Sequence, residues 1–240
     1  MYNSRPGLLI GFHGCDESTR NTLLNSPNTI KKSEKPYDWL GHGMYFWENN
    51  EERALQWAKD KKKRGEINIP SVVGAVLDLG YCCDFTDTRF IEMIKVYHSL
   101  LAKTYKEAGE ELPKNQDIKN DKYKDKILRE LDCKVIEFMH DQILNEVSKD
   151  IKTTGTSKYK LFDSVRGMFT EGGPAFEGAG IFEKTHVQIC IRNLNCIQGF
   201  FLPRKETDFL KSILPKETSK GHDKSTSRKK SAPNQEGDAT

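Results

Sequence analysis

The chain has 240 residues, 36% hydrophobic and 30% charged, with a formal net charge of +3. That length suits one good-sized domain, and the charge is too small to argue for nucleic acid by itself; much of it lies in residues 205–240, where eight Lys/Arg meet six Asp/Glu. The longest apolar runs, such as SVVGAVLDLG at 71–80, fall well short of the roughly 20 residues a membrane-spanning helix needs, and the first residues lack the pattern of a secretion signal. A cytoplasmic protein with no membrane association is expected.

Residues 8–12, LLIGF, read as a strand that leads into His13 and Gly14. A second strand is expected at 44–47. The segment after it, ENNEERALQWAKDKKKR, reads as a helix with Ala54, Leu55, Trp57 and Ala58 as its apolar stripe and Asn49 and Asn50 as caps. A strand over 72–79 follows. Residues 87–150 then change texture, with Phe90, Ile91, Ile94, Tyr97, Leu101 and Tyr105, and later Leu131, Val135, Phe138, Ile143 and Val147, at helical spacing. Gly109 and Pro113 break the charged stretch between them, so a helical pair joined by a polar link is predicted. The glycine-rich run DSVRGMFTEGGPAFEGAGIFEKTH reads as a loop and a candidate lid, and strands are expected at 187–191 and 197–202. From Lys216 onward the chain has no aliphatic residue beyond alanine, which predicts a disordered polar tail over 216–240. The domain is therefore expected to span 1–215 and to be α+β, with a β-rich core and a helical insertion.

Six cysteines, Cys15, Cys82, Cys83, Cys133, Cys190 and Cys196, show no recurring spacing and no Cys-x-x-Cys. Reduced thiols in or near the core are expected, and no metal site.

Three stretches carry the chemical argument: GFHGCD around His13, WLGHGMYFWENNEERALQWA around Tyr45, and THVQICIRN around Gln188. In this order they resemble the ADP-ribosyltransferase superfamily, in its diphtheria-toxin-like and poly(ADP-ribose) polymerase-like branch. That branch is marked by His-Gly on the first strand, Gly-x-Gly-x-Tyr-Phe on the second followed by a helix, and a Glu or variant on a late strand. The resemblance covers about two thirds of the chain and leaves out the helical insertion and the tail. It implies a split, two-sheet β core and NAD as co-substrate without a metal, bound by His13, Gly14, Gly43, Tyr45 and Arg166. Tyr45 would stack on the cationic nicotinamide for roughly 0.5–2 kcal/mol, Gly14 would let its backbone approach the carboxamide, and His13 would donate to a ribose hydroxyl.

Breaking the nicotinamide–ribose bond creates an oxocarbenium-like centre, so the site must orient that sugar. The resemblance puts Gln188 where a Glu usually holds the ribose 2′-hydroxyl; the amide oxygen would accept that bond without bringing charge. Polymer elongation is then not expected, whereas transfer of one ADP-ribose, or cleavage of NAD by water, is. His186 stands two residues earlier on the same strand face, where arginine-modifying branches carry a Glu, and is a candidate base for an acceptor with its ordinary pKa near 6.5. Arg166 would reach the phosphates and Glu171 the acceptor, or Glu171 would be solvated. The acceptor is a protein or a nucleic acid, and a toxin or defence role with an inhibitor or antitoxin partner is compatible with this reading.

Other readings stand beside it. His13 is a satisfied core histidine on the bland view, Tyr45, Phe46 and Trp47 are plain strand aromatics, Trp39 and Trp57 are core or rim, and His42 is simply exposed in a turn. At the level of function, a catalytically silent module that binds ADP-ribose or NAD is the first alternative. An NAD-dependent RNA 2′-phosphotransferase, which would want several arginines at the pocket beyond Arg166 and Arg192, is the second.

Overall fold

The computed structural model describes residues 7–119 and 121–205. The expected tail at 216–240 lies outside the described residues, as do 206–215 at the end of the expected domain. One unit closes at Pro203, and the fold described is that of this unit.

Strand β1 (Leu9–Asp16) runs directly into helix α1 (Glu17–Asn25), because Asp16 ends the strand and caps the helix, its carboxylate accepting from Ser18 N–H at 3.0 Å. Strand β2 (Met44–Glu48) turns into α2 (Glu51–Lys63) through Asn50, whose side chain accepts from Arg53 N–H at 2.9 Å. Then follow β3 (Pro70–Leu77), β4 (Cys82–Asp84), α3 (Thr88–Ala108), the two-residue strands β5 (Asn115–Gln116) and β6 (Leu128–Arg129), α4 (Glu130–Thr154), β7 (Ser164–Phe169), β8 (His186–Ile191) and β9 (Ile197–Phe201). The α+β class and the helical pair in the 87–150 region hold, and the polar link carries the small β5/β6 ribbon. Three elements differ from expectation. Residues 164–169 form a strand inside the expected loop, 82–84 add a short parallel edge to it, and α1 is an additional surface helix that buries only Leu23.

Seven strands form one sheet in the order β4-β7-β8-β2-β1-β3-β9, antiparallel everywhere except β4 with β7. Its halves are joined unevenly. β1 pairs with β3 over eight residues, from Leu9↔Leu77 to Asp16↔Pro70, but with β2 only at Gly11↔Glu48 and Phe12↔Trp47. Beyond Phe12 the β1/β2 ladder stops, so a seam opens between β1 from His13 onward and β2 from Phe46 back to Met44.

Alternation along the strands sorts the core into two faces. Phe46, Ile189 and Ile191 share one face with Val73, Ala75 and Leu77, under α1. On the other face α3 and α4 bury Met139, Ile143, Val165 and Cys190, while α2 lays Ala54 against Trp47 and Val72. All six cysteines are buried, and burial pushes Cys15 and Cys196 up to about 11. Among the described residues no helix is long and apolar enough to cross a membrane.

Candidate functional site

The open seam exposes strand-edge backbone. In a strand each residue's N–H and C=O point to the same side, and the side alternates. Ile10 C=O accepts from Asn49 N–H at 2.9 Å, on the β2 side, so Phe12 and Gly14 also turn their amides toward β2. Trp47 faces β1 across the last pair, and Tyr45, two residues earlier, does the same. Its C=O meets the His13 ring: His13 Nδ1 lies 2.8 Å from Tyr45 O. The seam past Phe12 is therefore lined by both backbone groups of Gly14, the N–H of Tyr45 and the His13 imidazole.

Burial lowers the His13 pKa to about 4, so the ring is neutral at pH 7. A neutral ring facing a carbonyl must carry its proton on Nδ1, which leaves Nε2 as an acceptor. The expectation that His13 donates to a ribose hydroxyl is corrected: the N–H is taken by Tyr45, and Nε2 meets a hydroxyl by accepting from it.

Tyr45 is held at both ends. Its hydroxyl accepts from Leu40 N–H at 2.9 Å and donates to Gly41 C=O at 2.8 Å, and burial raises its pKa well above the usual 10. The ring packs partly buried beside Leu40 and Cys190. Removing the hydroxyl would strand a backbone N–H, a change that costs about 1–3 kcal/mol. Gly43 exchanges backbone bonds with Ser33, and a Cβ there would lie 2.5 Å from Cys190 Sγ and from Ile191 O, so packing alone accounts for this glycine.

Gln188 sits opposite Trp47 on one side and Gly167 on the other, on the same sheet face as the Tyr45 ring. Trp39 Nε1–H donates to its Oε1 at 2.5 Å. An indole N–H is only a donor, so the atom facing it is the amide oxygen and the NH₂ is left to face away. Trp39 can lie there because residue 167 is glycine: a Cβ would be 2.8 Å from the indole Cη2. Phe169 meets Trp39 edge-on at 5.1 Å, and the Arg129 guanidinium covers both rings, at 4.0 Å from Phe169 and 5.3 Å from Trp39. Nothing local marked Trp39 as a partner of Gln188; the two are 149 residues apart.

The remaining expected residues fall in two places. His186 lies on the Gln188 face, stacked on Phe169 at 5.6 Å, with Nδ1 2.6 Å from Lys184 O. Burial, aided by the Arg53 charge, lowers its pKa to about 4, so it is a neutral acceptor and a much weaker base than expected. Glu171 is neither solvated nor turned to an acceptor; it is 7% exposed and paired with the buried Arg53. Arg166 lies on the opposite face, in register with Ile189. Its Nε and Nη2 donate to Glu48 at 2.5 and 3.1 Å and its Nη1 to Asp84 at 3.2 Å, so all three nitrogens are engaged and it does not reach out as a phosphate ligand. His13 belongs to the seam and does not join Gln188's hydrogen bonds.

Cavities of 540 and 420 Å³ lie elsewhere, the first between α3 and the start of α4 with Trp39 in its wall, the second around His42, Glu137 and Arg192. Among the described residues no group of three His, Cys, Asp or Glu is placed to hold a metal ion. Comparison of the chain with protein-family models, curated proteins and solved structures gives no match.

The buried imidazoles set a pH dependence. His13 and His186 at about 4 and His140 at about 3 all titrate below the ordinary 6.5, so the folded chain binds fewer protons than the unfolded one. Their stabilisation is complete above 6.5 and is lost progressively as pH falls toward 4. The urea midpoint is expected to drop across that window, before Asp16, whose carboxylate is held below its ordinary 3.8 by backbone N–H groups, adds its own loss. A midpoint unchanged between pH 6.5 and 4 would contradict the neutral, buried imidazoles.

Proposed function

We propose that the chain is an NAD-dependent mono-ADP-ribosyltransferase acting on a macromolecular acceptor. The observation that carries this is the open β1/β2 seam with the Gly14 amide turned into it. A carboxamide offers one C=O and one NH₂, the complement of a single strand residue, so nicotinamide can pair with Gly14 as a neighbouring strand would. Supporting it, His13-Gly14 stands on the first strand, Tyr45 on the second ahead of a helix, and Gln188 on the late strand beside β2.

With the carboxamide on Gly14 and the ring against Tyr45, the ribose extends over the face that carries Gln188, one strand spacing of about 5 Å from β2. Gln188 Oε1 already holds Trp39, so its NH₂ is the group that meets a ribose hydroxyl oxygen. That contact orients the sugar and adds no negative charge to the oxocarbenium-like transition state. His13 Nε2 accepts from a second hydroxyl. His186 Nε2 is the acceptor available to an incoming nucleophile. Release of nicotinamide from NAD by the purified chain tests the proposal.

The silent-module alternative draws on the same Trp39 bond, which ties up the amide oxygen of an already neutral residue. The RNA 2′-phosphotransferase alternative loses the arginines expected for it, since Arg166 is held by Glu48 and Asp84, and Arg192 by Glu137.

A further inference from the structure

Arg53 and Trp47 leave three buried donors unanswered. Arg53 is 8% exposed and Trp47 3% exposed, yet among the described residues Arg53 Nε, Arg53 Nη1 and Trp47 Nε1 have no hydrogen-bond acceptor. Buried polar groups are rarely left unpaired, and a buried guanidinium demands a counter-charge. Among the described residues, the Arg53 side chain has one acceptor, the Glu171 carboxylate, on Nη2 alone.

Glu171 does not belong to the rigid sheet. It opens the segment 170–185 after β7, which folds back on itself through Lys184 N–H to Glu171 O at 3.0 Å and Glu183 N–H to Gly173 O at 2.9 Å. Gly172, Gly173 and Gly178 all have φ between +77 and +88°, and the turn carries Phe176 and Ile181 at 67% and 65% exposure. The segment thus inserts one acidic side chain into the interior and leaves Phe176 and Ile181 in solvent. The Trp47 ring lies 6.3 Å from His186 and the Arg53 charge acts on the same imidazole, so both residues adjoin the Gln188 face.

We propose that Arg53 and Trp47 form a binding site for the diphosphate of a phosphorylated ligand, and that Glu171 is a built-in stand-in which this ligand displaces. A diphosphate presents several acceptor oxygens to the guanidinium fork and the indole N–H, where one carboxylate engages a single nitrogen. Displacement of Glu171 swings the 170–185 segment outward at Gly172 and Gly173 and opens the Gln188 face.

The test is binding of inorganic pyrophosphate to the full chain by calorimetry. Glu171→Gln removes the competing charge and is expected to tighten binding at least tenfold, while Arg53→Gln weakens it at least tenfold. Arg53→Lys keeps a cation for folding but loses the fork, and is expected to fall between parent and Arg53→Gln. Pyrophosphate is also expected to speed proteolytic cleavage within 170–185. Displacement of pyrophosphate by ADP-ribose supports the site and assigns the diphosphate to a nucleotide. Equal displacement by nicotinamide riboside, which has no phosphate, overturns it, as does a Glu171→Gln chain that binds no tighter than the parent. Because the probe is inorganic, Arg53-dependent pyrophosphate binding without nicotinamide release would leave this inference standing and sink the NAD reading.

Discussion

Gln188→Ala is expected to slow nicotinamide release from NAD about 100-fold in kcat while leaving KM nearly unchanged, the magnitude associated with losing one preorganised contact or misplacing the reacting group. On the proposed reading the contact belongs in kcat because it would hold the ribose geometry that the departing nicotinamide requires, whereas Gly14 and Tyr45 would hold the carboxamide and ring. Gln188→Glu separates orientation from charge. One carboxylate oxygen can keep the Trp39 N–H, now 2.5 Å from Oε1, and the other faces the sugar as an anion beside a developing cation. Hydrolysis equal to or faster than the parent is expected from this variant, with no matching gain in transfer to an acceptor. Parent rates in both variants would remove Gln188 from the reaction.

Gly14→Ala is expected to destabilise the fold by about 3 kcal/mol, at the upper end of what overpacking a core costs. A Cβ at residue 14 would lie 2.1 Å from the Ala54 carbonyl oxygen and 2.9 Å from its carbon, both backbone atoms of α2 that no rotamer change can move aside. The helix must lift away from β1, exposing Trp47 and Val72 beneath it. Urea unfolding measures the loss, and an unchanged midpoint would show that α2 does not press on β1 as described. The glycine is thus demanded by helix packing. What the proposed function draws from residue 14 is its amide, and glycine supplies that amide only by letting α2 sit low over the seam.

Which parts of this were legible in the sequence follows from how far each signal reaches. The apolar runs of β1, β2, β3, β8 and β9 and the periodic stripes of α3 and α4 are local, and each was expected near its observed place. β7 was not, because SVRGMF looks like loop sequence: Arg166 is there for an ion network with Glu48 and Asp84, and Gly167 is there to seat the Trp39 indole. Both reasons are tertiary. α1 was missed because it is a surface helix with one buried residue, although Asp16 ahead of it was a readable cap. At the site, His13, Gly14, Tyr45 and Gln188 were marked by motif order, but their chemical roles depended on partners far along the chain. Trp39 turns the Gln188 oxygen inward, the Tyr45 carbonyl accepts the hydrogen bond of the His13 Nδ1–H, and Arg53, 118 residues from Glu171, draws that carboxylate under cover. No spacing rule connects such pairs.

The central claim is that the β1/β2 seam recognises a carboxamide and the adjoining face cleaves its bond to ribose. Incubation of the purified chain with NAD labelled in the nicotinamide ring tests it directly, run beside nicotinic acid adenine dinucleotide, which replaces the NH₂ donor with a carboxylate that the Gly14 C=O would repel. Steady release of free nicotinamide, with the acid analogue cleaved at least tenfold more slowly, is the expected result. No release above the uncatalysed rate, or equal cleavage of the two dinucleotides, would contradict it.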